Sequence, residues 1–111
     1  MMHEKKTRAA AGLMLLWGML ACGEPPTATA AVTASGKPDG AQLYDMYCTL
    51  CHGEDGKLGI NGAKDLTASA LSREETIAIV THGRNTMAPF KQVLNAAQVE
   101  AVVDHVRALP K

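Results

Sequence analysis

Cys48-Thr49-Leu50-Cys51-His52 puts two thiols and an imidazole within five consecutive residues. This is the local arrangement that attaches a c-type haem through two sulfurs and supplies its proximal iron ligand. A chain built on it has to fold around the group it holds. The same cysteines also permit a dithiol–disulfide pair or part of a zinc site. For zinc, His52 is the one further ligand nearby, and a thioredoxin-like fold requires strands that the sequence does not suggest.

The chain has 111 residues, enough for one small domain behind a removable leader. Lys5, Lys6 and Arg8 precede the apolar run from Ala9 to Leu20. At about 12 residues that run is too short for a membrane-spanning helix of about 20, and residues 1–21 read as an export signal. The run ends at Met19-Leu20-Ala21-Cys22, which resembles the lipobox of bacterial lipoproteins and implies a lipid on Cys22. The alternative is ordinary secretory cleavage farther along. Residues 22–37, rich in Pro, Ala and Thr, read as a flexible tether. About 15 such residues span roughly 20–25 Å. With Cys22 assigned to lipid and Cys48 and Cys51 to haem, no cysteine is left for a structural disulfide.

Residues 38–111 form the domain, and their periodicity is helical throughout. Asp39 opens a first helix with Gln42 three residues later, and Tyr44, Cys48 and Cys51 follow at spacings that stack them on one face. Gly53 to Lys64 is a turn-rich loop, and a short helical turn is expected within Leu66 to Leu71. Ser72-Arg73-Glu74-Glu75 is a capping box, and the helix it starts ends at Gly83. Asn95 and Gln98 open a final helix whose stripe is Val99, Val102, Val103, Val106 and Leu109, closed by Pro110. The fold class is therefore all-α: three main helices and a short extra turn around one covalently attached haem. A domain of about 74 residues has little core of its own, so the haem-free chain is expected to be largely unfolded.

Low-spin iron needs a second axial ligand opposite His52. Met87, in the loop Arg84-Asn85-Thr86-Met87-Ala88-Pro89-Phe90, is the leading candidate, with His82 five residues earlier as its competitor. Met46 is only six residues before His52 and reads as packing against neighbouring helices. Arg84 is a candidate cation for a haem propionate. Tyr44, Tyr47 and Phe90 are candidates for haem packing, with the last helix as the alternative neighbour for Tyr47 and the distal-side core as the place for Phe90, and Leu58 and Ile60 are candidates for lining an exposed haem edge. His105 reads as a packed histidine on the last helix.

The region from Gly40 to Leu109 resembles the monohaem class I cytochrome c family, in particular small bacterial members and the haem c domains attached to oxidases. Gly40 with Tyr44 is similar to the glycine–aromatic pair of that family's first helix. Cys48 to His52 matches its attachment motif, and Met87, within Gly83-Arg84 to Met87-Ala88-Pro89-Phe90, matches its distal ligand. The resemblance implies a compact helical fold in which the first and last helices cross, with one haem edge exposed. Three positions depart from the pattern. His105 stands where an aromatic usually meets Gly40 and Tyr44, within expected hydrogen-bond reach of Tyr44. Residues 53–88 contain no proline, so a backbone carbonyl near Gly62 to Lys64 has to orient His52. Pro89 falls two residues after Met87 instead of one.

The expected function is one-electron transfer, not catalysis, by a protein exported to the periplasmic side of a bacterial membrane, outer membrane included, and anchored there by lipid. Its partners are then redox proteins and the membrane, with no small-molecule substrate. An empty or displaceable distal position would instead give a peroxidase or a diatomic-gas-binding module. Residues 38–111 carry nine acids and seven bases without a basic cluster, which excludes nucleic acid as a partner and favours a weakly basic docking surface on a redox partner.

Overall fold

The structure is a computed structural model, and it describes residues 32–111. The expected leader, residues 1–21, and the expected lipidation site Cys22 lie outside the described residues, as does most of the tether. Residues 32–37, the described end of the expected tether, are bonded among themselves and to Pro38. Val32 and Pro38 form an antiparallel bridge, and the Thr33 amide donates to the Lys37 carbonyl at 2.6 Å. The segment before the domain therefore closes into a turn.

Four helices follow: α1 (Gly40–Tyr47), α2 (Thr49–His52), α3 (Arg73–His82) and α4 (Ala96–Arg107). Two single 3₁₀ turns, Ile60–Gly62 and Leu66–Ala68, lie between α2 and α3. No β-sheet is present among the described residues, and the fold is all-α as the periodicity requires.

Local chemistry sets the helix starts. The Asp39 carboxylate accepts from the Gln42 amide at 3.1 Å. Ser72 with Glu75 and Asn95 with Gln98 make complete capping boxes for α3 and α4, each satisfying amides that a helix leaves unpaired. The first helix is shorter than expected. Cys48 caps it at φ −117°, so Cys51 and His52 lie on a separate single turn, α2, with Cys48 at the junction, and not at the end of one continuous helix.

The core sits where α1 crosses α4. Leu43, Tyr44, Val99, Val102 and Val103 are all buried there, joined by Val80 from α3 and by Leu94. A Cβ at Gly40 would fall onto the Ala101 carbonyl, so glycine is what permits the backbones to approach this closely. The valines of α4 are weak helix formers, and this burial holds them in the helix. α3 leans on α4 through Arg73, whose Nε donates to Asp104 at 2.7 Å and whose Nη2 reaches Glu100 at 3.3 Å. That contact holds the Asp104 carboxyl below the usual carboxylate range. Met46 is 42% exposed; α1 buries Leu43 and Tyr44 instead, so Met46 does not pack as its sequence position suggested.

Candidate functional site

An open cleft of about 350 Å³ lies between α4, the end of α2, the segment after the second 3₁₀ turn, and α3 with the loop that follows it. Tyr44, Cys48, His52 and Met87 all line it. Its apolar wall comes from Leu66, Ile79, Val80, Val102, Val106 and Leu109. The stripe on α4 thus serves two purposes: Val99 and Val103 fill the core, Val106 turns toward the cleft, and Val102, itself in the core, also reaches the cleft wall.

His52 ends α2, and Gly53 stops the helix at φ +75°. The His52 carbonyl then accepts from the Leu58 amide at 2.9 Å. His52 Nδ1 lies 3.1 Å from the Lys64 carbonyl. A carbonyl can only accept, so this bond puts the proton on Nδ1 and leaves the Nε2 lone pair free. An imidazole in that tautomer is ready to bind a metal. The carbonyl comes from the segment expected to supply it, and no proline is needed.

Cys48 is half-buried, and burial, followed by the neighbouring Cys51, pushes its thiol up to about 11. As a free thiol it is therefore protonated at neutral pH. Cys51 is one turn along α2, also half-buried and not bonded to Cys48, but it does not lie on the cleft wall. Tyr44 does not bond to His105. Its hydroxyl donates to the Gly53 carbonyl at 2.7 Å, and its ring meets the imidazole of His105 at a centroid distance of 5.1 Å. His105 thus meets Tyr44 as a ring tilted by 48° and not as a hydrogen-bond partner.

Met87 faces His52's cleft from the loop after α3. The turn carrying it closes on itself: the Arg84 amide donates to the Met87 carbonyl at 3.1 Å, and the Met87 amide returns to Arg84 at 2.9 Å. Gly83, at φ +76°, lies under this turn. A Cβ there would come within 2.6 Å of the Met87 carbonyl, so only glycine allows the loop to fold back this tightly. His82, Met87's competitor, is exposed and off the cleft wall.

The remaining sequence candidates lie outside the cleft wall. Tyr47 and Phe90 pack edge to face against each other at 6.1 Å and support the core from behind. Leu58 and Ile60 are 54% and 45% exposed. Arg84 is exposed and touches Met87 through its backbone alone. The cations on the cleft wall are instead Arg107 and Lys111; Arg107 also donates to the Leu71 carbonyl at 3.1 Å. Sequence reasoning missed both, because the apolar stripe of α4 does not say which way Arg107 at its end and Lys111 beyond it face.

The donor set suits a haem. A metal-ready imidazole and a thioether share one apolar cleft, and a thiol sits at its edge. Among the described residues, no group of three or more His, Cys, Asp and Glu side chains is arranged to hold a metal ion. The site therefore fits an iron that brings its own equatorial ligands better than a bare ion such as zinc.

Comparison with known proteins gives the same answer. A family model described as cytochrome C oxidase, cbb3-type, subunit III matches residues 36–106. Cytochrome c6 of Leptolyngbya boryana is 34% identical over 73 residues, covering 60% of this chain and 85% of that protein. Cytochrome c6 of Microcystis aeruginosa is 36% identical over 76 residues, covering 63% and 93%. The solved KustC0563 c-type cytochrome superposes with a TM-score of 0.59 at 34% identity, covering 66% of this chain and 99% of that one. This family identity implies a single covalently attached haem c. The chain belongs to the small monohaem class I c-type cytochromes, cytochrome c6-like, a family of extracytoplasmic one-electron carriers and not of enzymes.

Proposed function

We propose that this chain carries its haem on Cys48 and Cys51, binds the iron through His52 and Met87, and shuttles single electrons at a membrane surface to which a lipid on Cys22 tethers it. The observation that carries the ligand assignment is the shared cleft: His52, its Nε2 left free by the bond to the Lys64 carbonyl, and Met87 line the same cavity. When bound, the haem supplies a reversible one-electron couple.

The residues of the chain do the rest. Cys48 and Cys51 fix the group at one edge, and Lys64 holds the imidazole plane. A neutral, soft thioether favours the reduced metal and raises the potential relative to a second imidazole. The apolar wall excludes water, and a low-dielectric site tunes the potential further. With His52 and Met87 both engaged by the bound group, no open position would be left for a substrate, as a carrier requires. Arg107 and Lys111 replace Arg84 as the cations best placed to meet carboxylates of the bound group. Leu58 and Ile60 form a small apolar rim suited to brief encounters with a redox partner.

The test is expression with haem-maturation machinery, followed by intact mass and absorption spectroscopy. The expected mass includes one haem and, for material recovered from membranes, the lipid. Met87→Ala should abolish the weak long-wavelength thioether-to-iron band of the ferric protein and lower its midpoint potential. Persistence of that band in Met87→Ala would refute the assignment, and a soluble mature chain beginning beyond Cys22 would refute the anchor.

A further inference from the structure

The segment around residues 60–64 contacts both sides of the cleft. Its Lys64 carbonyl holds His52 Nδ1. Three residues earlier, the Asn61 carbonyl accepts from Thr86 Oγ1 at 2.9 Å, and Thr86 immediately precedes Met87. We propose that Thr86 is a positioning residue, which holds Met87 over the cleft by tying its loop to the segment that also orients His52. The inference rests on Met87 being the distal ligand.

The other bonds around Met87 are local. The paired amide bonds between Arg84 and Met87 set the shape of the turn, and Asn85 completes it at φ +54°. The Phe90 amide donates to the Val80 carbonyl at 3.0 Å and the Lys91 amide to Thr81 at 3.2 Å, anchoring the far side of the loop to α3. All of these bonds fall within residues 80–91. They define the loop and its attachment to its own helix, but they do not fix how far it stands from the opposite wall. Met87 and Phe90 pack against the core, and the exposed Thr86 hydroxyl adds a hydrogen bond toward the opposite wall, bridging 25 residues of sequence.

Its acceptor is itself held in place. Asn61 is at φ +54°, inside the 3₁₀ turn closed by the Ala63 amide on the Ile60 carbonyl at 3.0 Å. A displacement of this segment would therefore be felt at both axial positions, at His52 through Lys64 and at Met87 through Thr86. Without the hydroxyl, the Met87 loop can swing outward more readily, and an added ligand competes better for the distal position.

The experiment uses the full chain with haem attached and imidazole as the probe. Thr86→Val keeps the shape and removes the donor, whereas Thr86→Ser keeps the donor. In Thr86→Val, imidazole should displace the thioether about two- to tenfold faster, the range set by one net hydrogen bond. Half-loss of the thioether band should also require less imidazole. Thr86→Ser should restore both values toward wild type. A Thr86→Val protein that matches wild type in rate and half-point, or a Thr86→Ser protein as impaired as Thr86→Val, overturns the positioning role and leaves the Met87 assignment intact. A wild-type protein with no thioether band overturns the assignment, and the positioning role with it.

Discussion

The two halves of this small domain are held by different forces. Where α1 meets α4, the contact is protein against protein: Gly40 under Ala101, Leu43 and Val103 fully buried, and Tyr44 against His105. Across the cleft, α3 contributes one buried apolar residue, Val80, and the ion pairs of Arg73, while Ile77, Met87 and Phe90 are only partly buried against the core and the Thr86 hydroxyl ties the Met87 loop to Asn61. The helix crossing completes itself, whereas the cleft half encloses a space meant for another molecule. One chain thus combines a fixed frame with a ligand-dependent wall, and its stability should divide along the same line.

The largest effect should come from taking away the group that the second half encloses. A Cys48→Ala, Cys51→Ala chain, or wild type produced without haem attachment, should show little helix by far-UV circular dichroism. About 74 residues with one small protein core bury too little surface to offset chain entropy, and ligand that binds only the native state shifts the balance strongly. A cooperative, native-like melt in such material would show that the crossing of α1 and α4 is sufficient by itself. The next effect tests the frame directly. Gly40→Ala places a Cβ on the Ala101 backbone carbonyl, which no side-chain rotation can relieve. It should cost about 2–3 kcal/mol, read as a lower denaturation midpoint of the haem-bound protein with little change in its spectrum. An equal loss of the thioether band would mean that the two halves are not separable.

The frame was largely legible in the sequence, and the cleft was legible only in part. Capping signals are local, so Asp39, Ser72 and Asn95 announced their helices, and the valine stripe announced the buried face of α4. The break at Cys48 was not visible, because residues spaced by four and three look the same whether they lie on one helix or on two. The role of Lys64 could be inferred from what His52 requires, since any placed carbonyl would do. Arg107 and Lys111 could not be inferred: whether a cation at a helix end faces water or a cleft depends on how the helix is rotated against its neighbours. Tyr44 was expected beside the haem and near His105, and it is buried against His105, but its hydroxyl partner, Gly53, depends on the sharp turn after α2 that brings that carbonyl back toward α1.

Tyr44 joins the two halves, and the smallest predicted effect lies there. Its ring belongs to the helix crossing, while its hydroxyl bonds to the residue immediately after His52. Burial, followed by the charges of Cys48 and Asp55, pushes its phenol up to about 12 from an ordinary value near 10. Once Cys48 is a thioether it carries no charge, and burial remains as the chief cause. The sign follows from proton binding. The folded state keeps the phenolic proton to a higher pH than the unfolded chain, so this contribution to stability is fully present below pH about 10 and is lost as pH rises toward about 12. Tyr44→Phe should lower stability at neutral pH by about 1 kcal/mol through the lost bond and the Gly53 carbonyl left without it. It should also flatten the alkaline decline, so that the wild-type advantage shrinks and is lost between pH about 10 and about 12. Parallel curves across that range would show that the phenol titrates as in the unfolded chain, and that the link between the frame and the haem-binding turn lies in the packing of the ring.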